Sequence, residues 1–211
     1  MTPLPDRLLR RAEEVGVALS TAHVNQLTRY FDLLRRWNPR INLTSLPLDA
    51  LSPGQFDRLL VEPIAAAALV PESARVWFDL GSGGGSPAVP LKVLRPSLRL
   101  SMIEAKSRKC AFLREVVRTV PLNSADVHQT RIEELPDSLG NSVDLLTVRA
   151  VRLDEPLSGV CARLLTASGR LLLFGGSEPP TIGGQALSLV SSRDIRTTSS
   201  AWVHLFARAN E

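Results

Sequence analysis

The segment Asp79-Leu80-Gly81-Ser82-Gly83-Gly84-Gly85 closes a short apolar run and leads into a helical pattern. A glycine-rich turn between a strand and a helix lets a ligand approach the backbone closely, and the helix start offers it free N–H groups. The glycines fall as G-x-G-x-G. The sixth residue counted from Gly81 is Ser86, where a dinucleotide-binding fingerprint carries Gly or Ala. That spacing favours S-adenosylmethionine (SAM) over NAD. Glu104 ends the next apolar run, where a carboxylate accepts the ribose hydroxyl protons of an adenosine, a contact that NAD would use equally. Asp79 suits the ammonium of a methionine moiety and is awkward beside a pyrophosphate.

Two further segments point to the same edge. Arg131-Ile132-Glu133-Glu134 follows the third apolar run, where an adenine would lie, with Ile132 available to its face and the backbone around Glu133 to its edge. Asp144 to Arg149 ends the fourth run beside the topological switch point. The candidate cofactor set is therefore Asp79, Gly81, Ser82, Gly83, Gly85, Glu104, Ile132, Glu133 and Arg149, with no metal. A tight strand-to-helix connection is the structural alternative for the turn, and an ion pair with a neighbouring acid is the alternative for Arg149. His23, His128 and His204 are isolated and receive no chemistry, and Trp37, Asn38 and Asn42 suit core, cap and turn roles.

These residues must be positioned by an α/β framework. After Pro71, short apolar runs alternate with helical stretches, the pattern of a parallel sheet covered on both faces. Strands are expected over 75–80, 98–104, 125–129, 143–148 and 170–174, with helices over 87–94, 107–120 and 154–165. Two more strands are expected over 195–198 and 202–207, the last of them antiparallel, and a Gly, Pro and Ser-rich loop over 175–184. Before Pro71 the apolar spacing is helical: Leu8, Leu9, Ala12 and Val15, then Leu27, Tyr30, Phe31, Leu34 and Trp37. Ser20 is the expected N-cap of the second helix, and Asn38-Pro39 its expected end. The chain divides into an N-terminal helical extension, 1–70, packed on a SAM-binding domain, 71–211.

Composition sets the outer limits. No apolar run is long enough to span a bilayer and the first residues lack a secretory signal, so a cytoplasmic protein is expected. Cys110 and Cys161 have no metal-ligand spacing and read as buried thiols. The net charge of +4 permits nucleic-acid binding, and it conceals a bias, since only Lys92, Lys106 and Lys109 of the 25 basic residues are lysines. Arg suits bidentate phosphate contacts, although a GC-rich genome would also favour it.

With these motifs in place, the chain resembles the glucose-inhibited division B family, bacterial methyltransferases acting on guanine N7 in 16S ribosomal RNA. The likeness runs through Tyr30-Phe31-Asp32-Leu33-Leu34, Trp37-Asn38, Asn42-Leu43-Thr44, the glycine turn, Pro87, Pro90-Leu91, Arg95-Pro96 and Glu104. It continues in Arg108-Lys109, Phe112-Leu113, Arg131-Ile132-Glu133-Glu134 and Arg149-Ala150. The resemblance implies a class I SAM-dependent methyltransferase (Rossmann-like) fold with a seven-stranded, mostly parallel sheet. It also implies SAM as cofactor and 16S ribosomal RNA or the 30S particle as partner of a monomeric enzyme. Guanine N7 has a lone pair and no proton to lose, so positioning suffices, and Arg149 becomes the residue to hold the guanine O6 or a phosphate. The Asn-Pro-Pro-Tyr tetrapeptide of amino-directed enzymes is absent, and neither cysteine follows a proline.

Four places depart from the family pattern: Asp57 and Arg58 where a basic Arg-His pair is usual, Ser86 where an aromatic follows the turn, and Gly175 where Lys-Gly ends the fifth strand. They suggest an altered cationic surface and pocket wall, and so leave open another RNA or small-molecule acceptor, or a non-catalytic RNA-binding relative.

Overall fold

The computed structural model describes residues 3–195 and 201–209. Two long helices open the chain: α1 (Leu4–Glu14) and α2 (Thr21–Ile41). Ser20 caps α2 as expected, its Oγ accepting from His23 N at 3.2 Å while His23 Nδ1 accepts from Ser20 N at 3.4 Å. The helix does not end at Pro39. It runs through the proline to Ile41, and Asn42, in the left-handed region at φ +50°, stops it. Proline removes one N–H, but the turn is held from outside: Trp37 packs on Phe112 with ring centroids 5.9 Å apart, Ile41 packs on the core, and Asn38 Oδ1 accepts from Thr44 N at 2.9 Å. Then α3 (Pro53–Phe56) runs into a π turn over Asp57–Val61, followed by α4 (Glu62–Ala66) and a 3₁₀ turn over Ala67–Leu69. Such π turns inside helices recur at functional sites.

The sheet begins with β1 (Val76–Leu80), then α5 (Ala88–Leu94), β2 (Arg99–Glu104), α6 (Ser107–Thr119), β3 (Ala125–Gln129), β4 (Val143–Arg149), α7 (Glu155–Leu164), β5 (Leu165–Gly175), β6 (Leu187–Asp194) and β7 (Trp202–Arg208). The order across the sheet is β3-β2-β1-β4-β5-β7-β6. Strands β1 to β5 are mutually parallel, and β7 lies antiparallel to both neighbours. This is the seven-stranded, mostly parallel fold expected from the sequence. The order reverses between β1 and β4, where a crevice opens at the strand ends.

The sixth strand departs from expectation: β6 occupies Leu187–Asp194, and most of the expected 195–198 run lies outside the described residues. β6 is an edge strand with a register shift between Leu189 and Ser191; only Leu187 is buried, so no apolar alternation marks it.

Each face of the sheet has its core. On one face Leu8, Leu27, Leu60, Leu91 and Phe112 from the helices meet Trp77, Leu145 and Leu172. On the other, Leu157 and Cys161 of α7 meet Phe78, Leu80, Leu146 and Leu173. Both cysteines are buried free thiols. No described helix is long and apolar enough to cross a membrane.

Candidate functional site

At the end of β1 the backbone turns sharply over the end of β2, Gly81 N and Ser82 N both donating to Ile103 O, at 2.9 and 3.1 Å. Gly81, Gly83 and Gly85 take φ of +74°, +54° and +85°, which an L side chain adopts only with strain. A Cβ on Gly81 would lie 2.9 Å from Val151 Cγ2, so the segment after β4 is packed against the turn. On the other flank the Tyr30 hydroxyl of α2 donates to Gly84 O at 2.7 Å.

Beyond the turn opens a cavity of about 500 Å³, a size suited to a small-molecule ligand, lined by Gly81, Ser82, Gly83 and Gly84 of the turn. Leu34, Leu43, Leu46 and Leu59 give it apolar walls, and Arg58, Lys109 and Arg149 supply its charged groups. Among the described residues every charged group on that wall is a cation, and no carboxylate, histidine, cysteine or tyrosine joins them.

Asp79 lies beneath the wall at 1% exposure. Its Oδ1 accepts from Thr147 Oγ1 at 2.5 Å, and Oδ2 is buried with no partner among the described residues. Burial pushes its carboxyl up to about 6, against the opposing influence of Ser82, Thr147 and Arg149. A buried, unpartnered carboxylate oxygen beside a glycine turn fits the ammonium of SAM, since a cationic donor would satisfy it. Glu104 is engaged within the protein: Oε2 accepts from Gly83 N at 2.9 Å and Oε1 from Lys106 N at 2.8 Å. Each oxygen retains a lone pair, so it braces the turn and can still accept ribose hydroxyls.

Arg149 makes the ion pair that is the alternative reading for it, and does so at the cavity wall. It lines the cavity, and its Nη2 donates to Glu62 Oε2 at 3.0 Å in an ion pair. Nη1 donates to Arg58 O and, at 3.1 Å, to Ser86 Oγ, while the guanidinium lies 4.5 Å from the Phe174 ring centroid. Burial lowers Arg149 to about 10 and raises Glu62, so desolvation outweighs the attraction between them. A buried pair of this kind adds little net stability, while removing one partner would leave the other charge buried and uncompensated.

Of the residues expected from sequence, Gly81, Ser82, Gly83 and Arg149 share one wall, with Asp79 and Glu104 behind it. Gly85 faces Val89, Tyr30 and Leu113 instead. Ile132 is half-buried against the second core, Glu133 is exposed, and neither lines the cavity. Among the departures, Asp57 is not on a cationic surface. It is fully buried and takes Arg11 Nε and Nη2 on its two oxygens, at 3.0 and 2.7 Å. Arg58 is exposed and lines the cavity, and Ser86 Oγ, besides accepting from Arg149, donates to Leu59 O at 2.8 Å. Gly175 is exposed at the end of β5 and does not line the cavity. Sequence reading missed Tyr30, Glu62, Thr147 and Lys109 as site residues, since each reaches the turn or Arg149 from another element.

The family model for rRNA small subunit methyltransferase G, GidB, matches residues 23–183, most of the chain and all of the cavity wall. The chain belongs to the GidB family. A ribosomal RNA small subunit methyltransferase G of Roseiflexus sp. is 33% identical over 82% of this chain and 74% of its own length. Its counterpart in Xanthomonas oryzae pv. oryzae is 34% identical over 77% of this chain and 73% of its own. That of Pseudomonas paraeruginosa is 34% identical over 77% of this chain, which spans 66% of the relative. Among solved structures, the mitomycin 7-O-methyltransferase MmcR superposes with a TM-score of 0.57 at 17% identity, over 87% of this chain and 68% of that one. At that identity the likeness concerns the fold, shared here by a GidB family chain whose cavity sits where the sheet order reverses.

Proposed function

We propose that this chain transfers a methyl group from SAM to guanine N7 in 16S ribosomal RNA, within the cytoplasm and as a monomer. One observation carries the reading beyond the relatives' names: among the described residues the charged groups on the cavity wall are all cations, and the one carboxylate beneath it with a free oxygen, Asp79, is reserved in this reading for the donor's ammonium. An acceptor that must lose a proton would be poorly served. Guanine N7 loses none. SAM, when bound, supplies an electrophilic methyl on a sulfonium.

The chain's own residues orient and exclude water. Leu34, Leu43, Leu46 and Leu59 offer apolar surface to a flat base. Arg149, held at three protein acceptors and over Phe174, keeps its Nε–H and one Nη2 proton without a partner among the described residues. A bidentate Arg contact to O6 and N7 would occupy the reacting lone pair, so Arg149 donates to O6 or to a phosphate. Lys109 and Arg58 stand at the wall for the backbone of the RNA.

The test is methylation of 30S particles or 16S RNA from a strain lacking this modification, followed by nucleoside analysis. Appearance of 7-methylguanosine supports the reading, whereas methyl transfer to a different acceptor selects the divergent enzyme suggested by Ser86. SAM binding without transfer to any acceptor selects the non-catalytic relative. Arg149→Ala should lower turnover on RNA by roughly 100-fold, as loss of a fixed donor does, while sparing SAM affinity.

A further inference from the structure

Trp77 and Asp79 alternate along β1 and so share a face, and in the parallel register Asp79 stands beside Thr147 of β4. Trp77 and Thr147 are fully buried, and Asp79 is 1% exposed. The Trp77 Nε1–H donates to Thr147 Oγ1 at 2.9 Å, and Thr147 Oγ1 donates to Asp79 Oδ1 at 2.5 Å. The direction of this chain of bonds is forced. An indole N–H donates only, so Thr147 must accept from it, and the hydroxyl's single proton is left for Asp79. Oδ1 is thereby committed as an acceptor, and Oδ2 remains the buried oxygen with no donor among the described residues.

We propose that Trp77 and Thr147 are positioning residues for the methyl donor: their relay fixes the Asp79 carboxylate and reserves Oδ2 for the donor's ammonium. The inference rests on SAM being the cofactor. Other groups act on this carboxylate from each packed element: Arg149 on β4, Glu104 at the end of β2, Ser82 in the turn and Tyr30 on α2. Arg149 favours the ionised form and Glu104 opposes it, but Arg149 pairs with Glu62, and the backbone amides of Gly83 and Lys106 hold Glu104. The Thr147 hydroxyl is the donor that Oδ1 receives. Because burial holds the carboxyl up to about 6, SAM affinity should fall ~10-fold per pH unit below that value, and it should decline again above about pH 8, where the donor's own α-ammonium loses its proton.

The experiment is titration calorimetry on the full chain with two probes, SAM and 5′-methylthioadenosine, which keeps the nucleoside but lacks the ammonium. Thr147→Val should weaken SAM about 10-fold, the effect of losing one charge-assisted hydrogen bond, and leave methylthioadenosine within about twofold. Thr147→Ser should restore SAM binding. Carboxyl-carbon NMR of the ligand-free protein should show Asp79 titrating at higher pH in Thr147→Val, with the break in SAM affinity moving to the same pH. Unchanged SAM affinity in Thr147→Val, equal weakening of both probes, or an unmoved Asp79 titration overturns the relay. If the parent protein binds neither probe, the cofactor reading falls and the relay's role with it.

Discussion

Burial works against both charged residues that define the site, and in each case the protein retains the charge. Asp79 and Arg149 are pushed toward neutrality by desolvation; Arg149 is held by three acceptors and the Phe174 ring, whereas Asp79 keeps one buried oxygen without a partner among the described residues. A buried carboxylate with an unpartnered oxygen costs stability in the free protein, so removing the Asp79 charge should stabilise the fold. The sign follows from the raised pKa. Stability from protonating Asp79 is fully present below its ordinary value of 3.8 and is lost as pH rises through about 6. Asp79→Asn should therefore match the parent near about pH 4 and exceed it by on the order of 2 kcal/mol near about pH 8, while losing SAM affinity. Urea denaturation across pH checks this; a variant less stable than its parent at high pH would refute it. Glu104, by contrast, braces the turn through two backbone amides, so its replacement should cost stability as well as binding.

At the scale of elements, the glycine turn is clasped from three sides: by Ile103 O of β2, by Tyr30 of α2 and by Val151 after β4. Ala150, just before that valine, is a non-glycine residue at φ +57°. Such strain persists only where surroundings impose it, and here it sets the segment against Gly81. Gly81→Ala should cost about 2–3 kcal/mol, combining left-handed backbone strain with the clash at Val151. In the Gly81→Ala, Val151→Ala double variant the clash is relieved but the strain stays, so about half of the loss should return beyond the effect of Val151→Ala alone. A double-mutant cycle in urea measures it, and strict additivity would show that Val151 does not contact the turn.

For the molecule as a whole, the helices before Pro71 build the site as well as cover the sheet. Leu8, Leu27, Tyr30 and Leu60 belong to the same core as Trp77, Leu145 and Phe174, while the π turn carries both Asp57, paired with Arg11 of α1, and the Arg58 carbonyl that holds Arg149. Residues 71–211 alone should therefore fail to fold, because one face of the sheet would expose its apolar side chains. Circular dichroism and a thermal melt of that fragment decide the point; a cooperative transition near that of the full chain would establish 71–211 as an independent domain.

The first five strands with the helices between them, the glycine turn with its acid partner, and membership of the GidB family were legible in the sequence, because each depends on local periodicity or on short motifs read along the chain. Pro39 misled, since packing of Trp37 and Ile41 overrides a local preference, and β6 was invisible because an edge strand with one buried residue has no apolar alternation. Asp79, Glu104 and Arg149 could be named from spacing. The partners of Asp79 and Arg149 could not: Thr147, Glu62 and Ser86, like Tyr30 that holds the turn at Gly84, come from elements far apart in the chain, and only the sheet order and the packing of the N-terminal helices bring them together. The type of chemistry followed from the sequence, whereas folding in three dimensions decided which oxygen of Asp79 is left without a donor and what holds Arg149 at the wall, because burial and hydrogen-bond direction exist only once distant elements meet.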